Sequence, residues 1–123
     1  NQGGIAEAKT RSAQVTANRQ AVERELSTEL QALTVSAKAQ QTVVKELRDD
    51  LLPKAKATYE AVKAAYETGQ KDLLDLLDSE RTYLQTREAL TDANHDLRNL
   101  YAELAGLLGV SMSELNHSPK ETN

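Results

Sequence analysis

The sequence predicts an all-α protein built as a long antiparallel helical hairpin of the coiled-coil kind. Its 123 residues are rich in Ala, Leu, Glu, Gln, Lys and Thr, the residues of long helices. Only 3% are aromatic, all of them Tyr, so the side chains that fill the core of an ordinary globular domain are scarce. The apolar residues recur at steps of 3, 4 and 7, the spacing of a coiled coil and not of a strand.

The first helix is predicted over about residues 5–67, after the turn-like opening Asn1-Gln2-Gly3-Gly4. Pro53 lies inside it, and a Pro in a helix removes a hydrogen bond and favours a kink. We favour one long helix, while a break near Pro53 that gives a three-helix arrangement is the alternative, since Asp49 and Asp50 could cap a new helix. The predicted apolar stripe is Val15, Val22, Leu26, Leu30, Leu33, Ala37, Val44, Leu47, Leu51, Ala55, Tyr59, Val62 and Tyr66.

A tip turn is predicted at residues 68–71, where Gly69 follows the periodic run and is typical of a left-handed helix cap. Asp72 is expected to cap the second helix, which is predicted over about residues 72–108 and ends at Gly109. Residues 1–109 then form the hairpin and residues 110–123 a short polar tail. The predicted stripe of the second helix is Leu73, Leu77, Leu84, Leu90, Leu97, Tyr101, Leu104 and Leu108.

The two predicted helices differ in length, at roughly 90 and 55 Å from a rise of about 1.5 Å per residue. Residues from roughly 5 to 30 would then lack a partner within the hairpin. We therefore expect either that the first helix breaks near Pro53 into a three-helix bundle, or that another chain or a segment missing from this sequence covers these residues.

Composition and motif spacing weigh against several classes of function. The net charge is -4 and basic residues alternate with acidic ones along the chain, so no nucleic acid partner is predicted. No run of about 18 apolar residues is present that could span a membrane. Neither His95 nor His117 has a metal-ligand spacing, and the serines lack a His–acid pair. We predict no enzymatic activity, no metal and no cofactor.

Four motifs in order resemble one known family. They are Asn1-Gln2-Gly3-Gly4-Ile5-Ala6-Glu7-Ala8, Leu51-Leu52-Pro53-Lys54-Ala55, the stretch from Tyr66 to Asp78, and Leu100 to Gly109. Together they resemble the TolC-like outer-membrane efflux proteins of Gram-negative bacteria, with the opening most similar to the heavy-metal-efflux branch. The match covers nearly the whole chain but only about one quarter of a family member.

The resemblance implies that the chain is the second periplasmic hairpin of a channel subunit that works as a homotrimer. Thr68, Gly69, Gln70 and Lys71 would then meet a periplasmic adaptor protein, which links the channel to an inner-membrane pump. Tyr66, Lys71, Asp75 and Asp78 match the family's gate positions. Three copies of Asp75 and Asp78 would form carboxylate rings that attract cations. The alternative for both Asp residues is a solvated face near a helix N-terminus.

Two other functions stay open at the level of the sequence. His95 lies in a predicted helix with Leu97 and Arg98 after it, which is similar to histidine phosphotransfer bundles. Asn99 stands where such sites usually carry a small residue, and the Gly-rich continuation is missing. The second alternative is a generic coiled-coil interaction module.

Overall fold

The computed structural model describes residues 1–116, and it confirms the all-α helical hairpin. Helix α1 spans Gln2–Glu46, a π-helix spans Leu47–Leu51, and α2 spans Leu52–Glu67. After the turn, α3 spans Leu73–Asn116 and packs back against the first arm. The described residues divide into two compact units, Ser36–Ala102 and the described remainder of the chain, and each unit has its own packing.

In the unit Ser36–Ala102, the helices pack along a seam of buried and half-buried residues at steps of 3 and 4, with one step of 5 at the π-helix. Ala37, Val44 and Ala93 are the most buried apolar residues, each at most 6% exposed. Because small residues recur among larger ones, the two helices can approach closely. The first arm contributes Ala37, Gln40, Val44, Leu47, Leu52, Ala55, Tyr59 and Val62, and α3 contributes Leu76, Ser79, Tyr83, Thr86, Leu90, Ala93, Leu97 and Leu100.

The other unit contains the start of α1 and the end of α3. Its half-buried residues continue the same spacing: Leu26, Leu30 and Leu33 on α1, and Leu104, Leu107 and Ser111 on α3. Residues 1–25 are all exposed, including Val15 and Val22, which the sequence places on the apolar stripe. Their apolar side chains therefore have no cover within the hairpin.

The first arm does not break at Pro53, so the three-helix alternative is wrong. Leu51 and Leu52 both keep right-handed helical dihedral angles. The N–H of Leu52 donates to the carbonyl oxygen of Leu47, a π-type bond across five residues. Pro53 follows the π-helix as the second residue of α2, where its missing N–H falls in the first turn and removes no bond within α2. The π-helix adds one residue, so the seam steps from Leu47 to Leu52, and Leu51 is 48% exposed.

The stripe predicted for α3 is right at Leu90, Leu97 and Leu104 and wrong elsewhere. The exposed residues among those predicted to be buried are Leu73, Leu77, Leu84, Tyr101 and Leu108. Leu73-Leu74 and Leu76-Leu77 are doublets, so leucine spacing alone fits two registers. The fold takes the register in which Leu76 and Tyr83 are half-buried and Ser79 is buried.

The predicted helix ends also need correction. Gln2, Gly3 and Gly4 belong to α1 and do not precede it, since the N–H of Ile5 already donates to the carbonyl oxygen of Asn1 at 3.3 Å. Helix α3 passes through Gly109 and continues to Asn116, so residues 110–116 are helical and not a tail. The rest of the predicted tail, residues 117–123, lies outside the described residues.

Candidate functional site

The tip of the hairpin is a hydrogen-bonded turn with Gly69 at its centre. Gly69 has φ of 78°, in the left-handed region that the sequence predicts for it. The N–H of Gly69 donates to the carbonyl oxygen of Tyr66 at 3.0 Å, and the N–H of Gln70 donates to that of Ala65 at 2.8 Å. These two bonds define a Schellman motif, which satisfies carbonyls at the end of α2.

Asp72 begins the return arm as an N-cap, as the sequence predicts. Its Oδ1 accepts a hydrogen bond from the backbone N–H of Asp75 at 2.9 Å. On the other side of the turn, the hydroxyl of Thr68 donates to the carbonyl oxygens of Ala64 and Ala65 at 3.3 and 3.1 Å. Both helix ends at the tip are thus closed by side chains next to Gly69, which fixes the turn's conformation.

An open groove of about 250 Å³ lies beside the turn, between α2 and α3. Three of the predicted site residues, Lys71, Asp75 and Asp78, line it together. Its remaining lining residues are Ala55, Thr58, Val62, Ser79 and Thr82. Both carboxylates therefore share one face of α3, as their spacing predicts, and Lys71 is the one basic residue among the groove-lining residues.

The charges in the groove are exposed to water. Across residues 1–116, no ion pair within 4.0 Å joins Lys71 to Asp75 or Asp78. Tyr66, the remaining gate candidate, is 39% exposed in the last turn of α2 and is not among the groove-lining residues. The groove thus holds two carboxylates and one ammonium group that remain available to outside partners.

Two stacked aromatic rings lie close to the groove, each next in sequence to a groove-lining Thr. Tyr59 and Tyr83 lie with their ring centroids 5.8 Å apart and their planes 9° from parallel. The guanidinium carbon of Arg87 lies 5.7 Å from the Tyr83 centroid, within cation–π range. Buried Ser79 donates to the carbonyl oxygen of Leu76 at 2.9 Å, so its hydroxyl is satisfied. Of these contacts, the Tyr59–Tyr83 stack joins the two arms, two to three helical turns from the tip, while the other two lie within α3.

The unit Ser36–Ala102 also has a basic face, which we define by Lys38, Lys45, Arg87 and Arg98. The face is marked by a hydrogen bond from Gln41 Nε2 to the hydroxyl of Tyr101. Lys38 and Lys45 lie one helical turn before and after Gln41, and Arg98 lies one turn before Tyr101. Arg87 lies two heptads before Tyr101. All four are exposed.

An acidic face lies on the opposite side of the seam, on the side of the groove. We define it by Asp75, Asp78, Asp92 and Asp96, all exposed on α3. Asp92 and Asp96 lie 10 and 14 residues after groove-lining Thr82, which brings them onto its face. Within residues 87–101 of α3, charges that alternate along the sequence are therefore sorted by face, which the sequence analysis missed. Nearer the tip the signs mix, because Lys71 lines the groove and Glu80 lies one heptad before Arg87. The sequence does contain a signal for these faces, because residues of like charge recur at helical spacings: Asp75 and Asp78 are 3 apart, Asp92 and Asp96 are 4 apart, and Lys38 and Lys45 are 7 apart.

Arg48 lies one heptad after Gln41, on the side of the basic face, but it is paired with its neighbour Asp49. Its Nε donates to Asp49 Oδ1 at 2.8 Å and its Nη2 to Asp49 Oδ2 at 3.1 Å. This hydrogen bond holds the pKa of the Asp49 carboxyl below its ordinary value and raises the pKa of the Arg48 guanidinium. Lys54 and Asp50 form a second ion pair at 2.8 Å. The π-helix is thus flanked by two local ion pairs.

His95, the residue of the phosphotransfer alternative, is exposed on α3. Its neighbours on the helix, Arg98 and Asn99, are also exposed. Within residues 1–116 no group of three or more His, Asp or Glu side chains is arranged to hold a metal ion. No helix in this described part of the chain is both long and apolar enough to cross a membrane.

Comparisons of the chain with protein-family models, with curated proteins and with solved structures find no match.

Proposed function

We propose that this chain is the periplasmic helical hairpin of a TolC-like outer-membrane efflux channel subunit of a Gram-negative bacterium. In the homotrimer it forms part of the α-barrel conduit. Its tip, Thr68 to Lys71, docks a periplasmic adaptor of a tripartite export pump. The conduit carries out no covalent chemistry and needs no cofactor, because transport is driven by the inner-membrane pump.

The observation that carries this proposal is the construction of the tip. A docking tip must present a defined backbone shape at the end of two helices. The Schellman motif at Gly69 and the Asp72 cap supply that shape without a partner. Gln70 and Lys71 are exposed on it and offer an amide and an ammonium group to another helical hairpin.

The groove supports the gate part of the proposal. Asp75 and Asp78 face it from α3, and no ion pair within residues 1–116 neutralises them. In a trimer, three copies of each carboxylate converge on one axis. Carboxylates that crowd together repel one another and attract cations, so the constriction binds cations in preference to anions.

The test is site-directed crosslinking in cells that carry the parent protein. The chain has no Cys, so Gln70→Cys introduces one reactive thiol. A thiol-to-amine crosslinker should join Gln70→Cys to the periplasmic adaptor, because the tip lies at the docking interface. His95→Cys is the matched control, since His95 is equally exposed on the same hairpin but far along α3 from the tip.

Two results would contradict the proposal. One is the absence of any adaptor adduct from Gln70→Cys while the variant still reaches its normal level in the envelope. The other is an equal yield of adduct from Gln70→Cys and His95→Cys, which would mean that crosslinking reports proximity in the periplasm and not docking at the tip.

A further inference from the structure

We propose that the basic face of this hairpin docks the acidic face of a second copy of the same chain. The proposal does not rest on the channel function above, and its acidic contacts are Asp92 and Asp96, not the gate candidates Asp75 and Asp78. It concerns the unit Ser36–Ala102, in which the seam separates the two faces. Because the interacting faces differ, the association is heterologous, so each copy offers one free face of each sign.

The first argument is the net charge of each face. Within the ranges 36–48 and 87–101, the charged residues on the same face as Gln41 and Tyr101 are all Lys or Arg, and none is Asp or Glu. On the opposite face, between Thr82 and Asn99, the α3 positions carry Asp92 and Asp96 and no Lys or Arg. Two basic faces repel each other, as do two acidic faces. Electrostatics therefore favours only the pairing of unlike faces.

The second argument is that both faces also carry exposed apolar side chains. Leu77 and Leu84, at 47% and 49% exposed, continue the basic face towards the tip, and Leu73 lies two heptads before Arg87. These are the leucines that the sequence analysis assigned to the seam. On the acidic side, exposed Leu51 lies one heptad before groove-lining Thr58.

The apolar residues matter because exposed ion pairs alone contribute little. A single surface pair contributes about 0–1 kcal/mol and is screened by salt. Burial of leucines that are about half exposed in the single chain contributes favourable binding free energy that salt does not screen. Together they predict reversible association that is weak at high ionic strength and stronger at low ionic strength.

The test is sedimentation velocity on the full chain over a concentration series at about 50 mM and about 500 mM salt, where the screening length differs several-fold. The double variant Lys45→Glu/Arg98→Glu reverses two charges of the basic face. It should raise the dissociation constant about tenfold or more at low salt. Lys9→Glu/Arg81→Glu is the matched control: both residues are exposed and lie off the two faces. It should associate like the wild type.

A mixing experiment tests the heterologous geometry. Asp92→Lys/Asp96→Lys should also lose association on its own. An equimolar mixture of this variant with Lys45→Glu/Arg98→Glu should regain it, because each supplies the unaltered face that the other lacks. Circular dichroism of each variant, with unchanged helix content, establishes that the exposed substitutions leave the hairpin folded.

Several results would overturn the proposal. The first is a wild-type chain that stays monomeric at low salt up to a protein concentration of about 1 mM, which is high enough to detect weak complexes. That result would mean that the two faces do not pair with each other. Association that survives both double variants would have to use another surface. A mixture that stays monomeric would exclude pairing of unlike faces.

Discussion

Glycine substitutions at the tip and in α3 should change stability in opposite directions. Gly69 adopts φ of +78°, whereas Gly106 lies inside α3. A Cβ atom built at either position meets nothing within 4 Å, so neither Gly→Ala change creates a clash. The difference between the two substitutions is therefore one of backbone conformation alone.

The magnitudes follow from the two conformations. A left-handed backbone costs an L-residue about 1–2 kcal/mol, while Ala in place of Gly stabilises by about 0.4–1 kcal/mol through the unfolded chain. Gly69→Ala should thus lower the free energy of unfolding by about 1 kcal/mol. Gly106→Ala should raise it by about 0.5–1 kcal/mol, the usual preference for Ala in a helix.

The assay is urea unfolding followed by far-UV circular dichroism, at one fixed protein concentration because association would add to apparent stability. The two variants should have the same slope against urea and midpoints on opposite sides of the wild type. Gly69→Asn is the control for the tip, since Asn tolerates the left-handed region and should lose less than Ala. A Gly69→Ala variant as stable as the wild type would refute the assignment of Gly69 as the left-handed cap.

Two further substitutions test contacts that the structure shows. Asp72→Ala removes the acceptor for the Asp75 N–H and should lower the free energy of unfolding by about 1 kcal/mol. Asp72→Asn keeps an acceptor at the N-cap and should lose much less stability. Equal losses for the two variants in urea unfolding would contradict the role of Asp72 as a cap. Arg48→Gln should let the pKa of Asp49 rise towards its ordinary value of 3.8, measured by NMR titration of the side-chain carboxyl, and an unchanged pKa would show that Arg48 does not hold it down. Because folding lowers this pKa, the stabilisation from the pair is present above pH about 4 and is lost as the pH falls through the folded-state pKa.

The fold class and the tip turn could be predicted because local chemistry decides them. A Gly directly after a long helical repeat usually forms a left-handed C-cap, and an Asp before a leucine-rich run favours the start of a helix. The structure has both features at the predicted residues. The prediction that α3 ends at Gly109 is wrong because Gly is only a weak helix breaker, so packing of Leu104, Leu107 and Ser111 can carry the helix past it.

The path through Pro53 could not be decided from sequence. A kink, a new helix start and a π turn can each accommodate Pro53, which has no backbone N–H. The three differ in which of the following residues face the other arm. Leu51 and Leu52 offer two registers for the seam. The π turn selects Leu52, and with it Ala55, Tyr59 and Val62, so tertiary packing and not local propensity makes the choice.

The missed register of α3 near the tip hid the apolar part of the basic face. A shift of one residue turns a helix face by about 100°, so leucines assigned one position away from the seam appear on the wrong face. When Leu73, Leu77 and Leu84 are assigned to the seam, the sequence shows no apolar surface beside Arg87. With Leu76 and Tyr83 in the seam, those leucines join the basic face. The candidate docking surface therefore follows from the register, which only the packing of the two arms determines.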